Sequence, residues 1–80
     1  MKLYADDILL FHGKEVVLIG WDDELERWLA AEAASDWEAM EAVWNLRAQL
    51  YLTRNEVQGA EYIRTISESD WDMYQEFLVS

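Results

Sequence analysis

The first quarter of the chain places two apolar runs on either side of a glycine. Residues 7–12 read Asp-Ile-Leu-Leu-Phe-His, Gly13-Lys14 follow, and residues 15–21 read Glu-Val-Val-Leu-Ile-Gly-Trp. Both runs contain many β-forming residues, and a glycine between them supplies the positive φ of a tight turn. The pattern predicts a β-hairpin whose sheet has one face well covered.

Beyond residue 20 the apolar positions change to a spacing near 3.6. Leu25, Trp28 and Leu29 lie on one side of an acidic segment, and an alanine-rich stretch follows them to residue 34. Such spacing is typical of an amphipathic helix, and Asp22 or Asp23 would cap its first turn. We therefore predict a first helix between residues 22 and 34.

Ser35-Asp36-Trp37-Glu38 has the sequence of a capping box, which marks the start of a further helix. Apolar side chains then recur at intervals of three and four as far as Tyr51. Because polar residues occupy the intervening positions, the segment predicts a second amphipathic helix from residue 35 to residue 51.

The last third of the chain predicts one strand and one helix. Residues 55–59 look like a connection, and residues 61–66 are rich in β-formers. Ser69 begins a second Ser-Asp-Trp-acid sequence, after which Trp71, Tyr74 and Leu78 share a helical face. We expect a single α+β domain over residues 1–80, with the order β-β-α-α-β-α and an antiparallel three-stranded sheet packed against helices.

Composition supports a folded chain without a cofactor. The sequence has 80 residues, 52% of them hydrophobic, with five Trp, four Tyr and two Phe, which is too much apolar surface for a disordered acidic chain. Cysteine is absent and His12 is the one histidine, so we expect no disulfide, metal site or cofactor. The apolar run at residues 8–11 is too short for a signal peptide or membrane span, and we expect a cytoplasmic protein.

Charge narrows the class of partner. Seventeen acidic residues against six basic ones give a formal net charge of −11. Such an excess repels nucleic acid and anionic membranes and attracts basic proteins. We expect no direct nucleic-acid or membrane binding, and a basic nucleic-acid-binding protein as the partner.

Some carboxylates recur at helical spacing. Glu68, Asp72 and Glu76 are four residues apart, as are Asp22 and Glu26. Like charges at this spacing cost about 0.2 to 0.5 kcal/mol per pair, so a requirement other than folding favours them. Acids in a first helical turn also complement the helix dipole, which explains about half of the acids in the helix starts. The residues that we expect to contact a partner are Asp22, Asp23, Glu24, Glu26, Glu32, Asp36, Glu38, Glu41, Glu68, Asp70, Asp72 and Glu76.

A row of carboxylates about 5 to 6 Å apart can imitate a row of phosphates. In size, charge, absence of cysteine and acid-studded helices, the chain resembles the small phage-encoded inhibitors of bacterial defence, particularly anti-CRISPR proteins of the type I-C group. The resemblance implies a DNA mimic that acts in the cytoplasm of a bacterial host and blocks target-DNA binding by a type I CRISPR surveillance complex. It identifies no individual site residue.

Two other classes of function remain to be compared with DNA mimicry. The protein could be an acidic interaction module, such as an antitoxin or adaptor, that docks through exposed Trp21, Trp71 or Tyr74. Catalysis is not expected, because the sequence has no cysteine nucleophile and no glycine-rich phosphate loop, and His12 is its one neutral-pH base. We expect a monomer; a contiguous negative face would favour mimicry, and an exposed aromatic patch would favour the module.

Overall fold

The computed structural model describes residues 3–79 and contains one five-stranded antiparallel sheet, in the order β4-β3-β2-β1-β5. Three helices complete the described chain. The elements are β1 (Asp7–Phe11), β2 (Lys14–Asp22), β3 (Arg27–Glu32), α1 (Asp36–Trp44), β4 (Leu50–Leu52), α2 (Arg54–Gly59), β5 (Glu61–Thr65) and α3 (Glu68–Val79).

The predicted hairpin is confirmed. Strands β1 and β2 pair from Ile8↔Val17 to Phe11↔Lys14, which leaves His12 and Gly13 as a two-residue turn. Both turn residues have positive φ, 51° and 78°, as the type I′ turn requires. Gly13 adopts this conformation without steric cost, and His12 adopts it against the preference of an L residue.

The predicted helix over residues 22–34 is wrong. Residues 27–32 form β3, which pairs with β2 from Val16↔Glu32 to Asp22↔Arg27 and with β4 on its other side. Ala30 and Ala31 are both buried, one on each face of the sheet. Pairing on two edges and burial on two faces outweigh the weak helix preference of the alanines.

The second predicted helix is present but ends at Trp44 instead of Tyr51. The Oγ of Ser35 accepts the Glu38 N–H, as the sequence predicted. At the other end, the N–H of Leu46 donates to the Val43 carbonyl and the N–H of residue 47 to that of residue 42, which is a Schellman motif. Residues 50–52 then form the edge strand β4.

The connection predicted at residues 55–59 is the helix α2. Thr53 and Glu56 form a complete capping box, and Val57 from this helix is buried against the sheet. The strand predicted at residues 61–66 is confirmed as β5. The last helix is also confirmed, although it starts earlier than Ser69, because the Oγ of Ser67 accepts the Asp70 N–H.

Helices cover both faces of the sheet. On one face, α1 and α3 enclose a cluster that includes Ile8, Val17 and Tyr74. On the other face, α2 covers a cluster that includes Leu18 and Val57. The fold is thus α+β, but the predicted three-stranded sheet and β-β-α-α-β-α order are wrong: the described order is β-β-β-α-β-α-β-α.

Candidate protein-interaction surface

The loop between β2 and β3 presents a first group of carboxylates, named here the acidic loop. Its acids are the four predicted ones, Asp22, Asp23, Glu24 and Glu26. The segment is not a helix, so Asp22 and Glu26 are not helical neighbours. Glu24 and Glu26 are exposed at the tip of a hairpin.

Contacts at its base hold the acidic loop in one conformation. Trp21 and Trp28 are directly paired across the strands, with ring centroids 5.7 Å apart and planes at 70°. The Oδ1 of Asp22 accepts the N–H of Leu25 at 2.9 Å, and that of Asp23 accepts the Trp21 Nε1–H at 2.8 Å. An edge-to-face aromatic pair contributes about 0.5 to 1.5 kcal/mol beyond burial. The loop is therefore ordered before any partner arrives.

The two cations near the acidic loop are directed at groups other than its carboxylates. The guanidinium of Arg27 donates to the carbonyl of Glu26 at 3.0 Å, and that of Arg54 lies 4.8 Å from the centre of a Trp21 ring. Among residues 3–79, every salt bridge involves acids outside this loop. No salt bridge among these residues therefore neutralises the charge of the acidic loop.

A second group of carboxylates, named here the acidic row, lies on α3. Glu68, Asp72 and Glu76 are exposed and four residues apart in one continuous helix, on the side opposite buried Tyr74. Asp70, by contrast, lies nearer the buried side and is partly covered. The sequence of α3 contains no basic residue. The acidic row is thus a line of uncompensated charge.

The remaining predicted acids are already engaged within the fold. Lys14 contacts Glu32 at 3.5 Å, and Arg47 contacts Glu41 at 3.2 Å. The Oε2 of Glu38 accepts the Ala34 N–H at 2.8 Å.

Arg64 pairs with Asp36, another of the predicted acids. Its guanidinium bridges Asp36 at 2.5 Å and Glu15 at 3.1 Å, and the hydrogen bond to Asp36 is the main cause that raises the pKa of Arg64. Of the predicted acids, the structure therefore pairs Glu32, Asp36 and Glu41 with cations and leaves the acidic loop and the acidic row without a salt bridge among residues 3–79.

Five aromatic rings form a continuous cluster between α1 and α3, named here the aromatic seam. Its members are Trp37, Trp44, Trp71, Tyr74 and Phe77, with neighbouring ring centroids 4.8 to 6.3 Å apart. Tyr74 is buried, whereas Trp37 is 39% exposed, Trp44 50% and Phe77 62%. The buried ring anchors the seam in the core and the others reach solvent.

The structure changes the choice of aromatic anchors. Tyr74 is not exposed, and Trp71 is half-buried with its Nε1–H donating to Asp6 at 3.2 Å. Trp21 is half-buried at the base of the acidic loop. The exposed rings of Trp37 and Trp44 were missed because their helical spacing is the same as that of core residues.

Two acids at the start of β1 are structural. Asp7 is buried and accepts the Thr65 hydroxyl at 2.7 Å and the Tyr4 N–H at 2.8 Å. Burial raises the pKa of Asp6, the hydrogen bond from Trp71 opposes this, and the neighbouring charge of Asp7 adds to it. These carboxylates fix the chain where β1 begins.

An open groove of about 560 Å³ lies near the β1–β2 turn, with Leu10 in its wall. The carboxylates of Glu15 and Glu32 that line it are those already paired with Arg64 and Lys14. Within the described chain, no group of three or more His, Cys, Asp or Glu side chains is arranged to hold a metal ion. His12 lies exposed in the nearby turn.

In the part of the chain that the structure describes, no helix combines the length and apolar character needed to cross a membrane. Comparisons with protein-family models, curated proteins and solved structures found no match to the chain.

Proposed function

We propose that this protein binds the cationic surface of a nucleic-acid-binding protein and excludes nucleic acid from it. The observation that carries the proposal is that the acidic loop and the acidic row have no salt bridge among the described residues, whereas the basic residues Lys14, Arg47 and Arg64 are paired with acids elsewhere. The narrower form, in which the target is the DNA-binding surface of a type I CRISPR surveillance complex, rests on the resemblance in size and charge alone.

The geometry supports imitation of a phosphate row. Side chains four residues apart on a helix are separated by about 5 to 6 Å, and phosphates along one DNA strand follow each other by about 3.4 Å of axis. A groove lined with flexible Lys and Arg side chains accepts either spacing, since its attraction is to negative charge.

The acidic loop and the first residue of the acidic row, Glu68, lie at the same end of the sheet. Thr65 pairs with Asp7, and the Asp6 N–H donates to the Leu18 carbonyl. The start of α3 is therefore at the same end of the sheet as the β2–β3 loop. Because the loop is already ordered, binding costs little of the entropy that ordering a flexible loop would require.

Three matched variants test the proposal, and each removes three negative charges from a chain of formal net charge −11. The first carries Asp23→Asn, Glu24→Gln and Glu26→Gln in the acidic loop. The second carries Glu68→Gln, Asp72→Asn and Glu76→Gln in the acidic row. The control carries Glu15→Gln, Glu32→Gln and Asp36→Asn, which are ion-paired in the fold.

The immobilised proteins would be incubated with bacterial lysate, and captured proteins quantified by mass spectrometry with and without duplex DNA. We expect the wild type and the control to retain a basic partner that DNA displaces, and the loop and row variants to lose about tenfold or more, which corresponds to about 1.4 kcal/mol. Equal losses for all three variants would mean that capture depends on the net charge of the protein and not on the positions of its acids. A partner that DNA does not displace would contradict the proposal.

The exposed rings of the aromatic seam favour a second candidate, an acidic interaction module such as an antitoxin or adaptor. Apolar contact would then supply most of the binding, and affinity would change little with salt. Truncation of Phe77 to alanine would weaken capture more than neutralisation of the acidic row. The same lysate experiment distinguishes the two candidates.

A further inference from the structure

The aromatic seam is a furrow between two antiparallel helices. Trp37, near the start of α1, contacts Phe77, near the end of α3, at 4.9 Å between ring centroids. Trp44, at the end of α1, lies 6.3 Å from Trp71. Met73 precedes Phe77 by one helical turn and is 64% exposed. The exposed floor and wall of this furrow are therefore apolar.

Carboxylates border the furrow along both helices, and the one on α3 has no salt bridge among the described residues. On α3, Glu76 of the acidic row follows Met73 by three residues and so lies beside it. On α1, Glu41 follows Trp37 by four residues and precedes Trp44 by three. Glu41 contacts Arg47, which lies beyond the end of α1, and neither helix itself contains a basic residue.

This charge pattern distinguishes two molecules that could bind the seam, a second copy of the chain and a basic partner. Two copies of the chain placed seam to seam would bring together two chains of formal charge −11, each with Glu76 at the border of its seam. Like charges brought together at an interface disfavour association. A basic occupant instead gains charge pairs at the borders, and an arginine gains a further cation–π contact over an exposed indole.

We infer that the aromatic seam binds an arginine-bearing amphipathic helix of a partner protein. The apolar side of that helix contacts Trp37, Trp44, Met73 and Phe77, and its arginines contact the bordering acids. With 1.5 Å of rise per residue, α1 and α3 extend about 14 and 18 Å, so the seam takes about three turns of helix. The inference rests on the proposed function, since it assumes that the partner is basic.

Synthetic peptides of about 14 residues, long enough to cover the seam, test the inference. One peptide places leucine and arginine in an amphipathic helical pattern; a second has the same composition in scrambled order. Titration calorimetry would measure affinity, and amide chemical shifts in the ¹⁵N-labelled protein would locate the site. We expect the patterned peptide to bind about tenfold more tightly and to shift amides of residues 37–44 and 71–78.

A double variant, Met73→Ala with Phe77→Ala, removes exposed apolar surface and leaves every acid in place. It should bind the patterned peptide about tenfold more weakly and the scrambled peptide unchanged. Leu25→Ala, a control at a 53% exposed residue of the acidic loop, should have no effect on either peptide. Folding of each variant is checked by its amide spectrum.

Equal affinities for the two peptides, or shifts confined to residues 22–26, would overturn the inference. Those results would leave the proposed function standing if DNA still displaced the captured partner. If instead the patterned peptide bound the seam but DNA displaced no partner, the proposed function would fail while the seam remained a binding site for basic helices.

Discussion

Repulsion between the acids of the acidic row lowers the stability of α3. Asp72 lies at the centre of the row, so substitutions of Asp72 measure this effect. Asp72 lies four residues from both Glu68 and Glu76. Each like-charge pair at this spacing costs about 0.2 to 0.5 kcal/mol, so the two pairs cost about 0.4 to 1.0 kcal/mol. Replacing Asp72 by Gln removes the two repulsions, and replacing it by Lys converts both into attractions.

The comparison of Asp72→Lys with Asp72→Gln isolates charge, because Lys and Gln have similar helix propensities. We expect the free energy of unfolding of Asp72→Lys to be higher than that of Asp72→Gln by about 0.4 to 1.0 kcal/mol, measured by urea denaturation at low salt. For a domain of this size that corresponds to about 2 to 8 °C in Tm. At about 1 M salt the screening length falls to about 3 Å, and the difference should nearly disappear.

The matched control is the same pair of substitutions at Glu24, an exposed acid in a loop. The two Glu24 variants should differ by less than about 0.5 kcal/mol, as ordinary surface changes do. If Asp72→Lys were no more stable than Asp72→Gln, or if the Glu24 pair showed the same gain, the acids of α3 would not form the row described above. Asp72→Lys should also weaken partner capture while stabilising the fold.

Three further predictions concern the scaffold. Leu46→Gly should stabilise the fold by about 1 kcal/mol in urea denaturation, because Leu46 has φ 51° at a helix end where glycine is favoured, and Leu46→Ala should give no such gain. Val57→Ala should cost about 2 kcal/mol by the same measurement, since this side chain is 1% exposed, whereas exposed Gln58→Ala should change little. Asp6 holds its proton more firmly in the folded than in the unfolded state, so ionised Asp6 costs stability at neutral pH and the cost is relieved as pH falls through its raised pKa. Asp6→Asn, whose amide oxygen can still accept the Trp71 N–H, should therefore be more stable than wild type at neutral pH, with a gap that closes in acid; a gap that widened would contradict the raised pKa.

Local signals explain the elements that were predicted correctly. The β1–β2 hairpin follows from its glycine turn, β5 from consecutive β-formers, and α3 from a serine cap followed by apolar residues at helical spacing. The capping box from Thr53 to Glu56 was equally visible in the sequence, and it would have identified α2.

Strand β3 was not predictable from its own pattern. Trp28 and Ala30 pack with the core on one face of the sheet, and Leu29 and Ala31 pack with the core on the other. A strand buried on both faces shows no alternation of apolar and polar residues, so the spacing of Leu25, Trp28 and Leu29 imitated a helix. Pairing with the neighbouring strands determines that such a segment is a strand and not a helix.

The end of α1 was missed for a related reason. A helix that ends in a left-handed residue normally has glycine there, but this one has Leu46. Without the glycine, the apolar pattern continued past the true end and concealed β4. A glycine at position 46, as in the variant Leu46→Gly, would have marked the end of α1 in the sequence.

The spacing of the acidic row was readable from the sequence, because its members lie within one helix. An ion-paired acid was not recognisable where its cation is remote in the chain, as for Asp36, which is 28 residues from Arg64. Glu41 is only six residues from Arg47, but its partner lies beyond the end of α1, which the sequence did not reveal. For the same reason, the sequence could not separate open acids from paired ones.

The paired indoles of Trp21 and Trp28 also have an optical consequence. Two such chromophores held at a fixed angle and a short centroid distance couple their electronic transitions, which produces a paired positive and negative band in the circular dichroism spectrum. Trp44 and Trp71 form a second indole pair between α1 and α3, with centroids 6.3 Å apart, so the part of the band that is lost in Trp28→Phe is the part that reports closure of the β2–β3 hairpin. The molecule thus contains its own spectroscopic reporter for the loop, readable during heating without any attached dye.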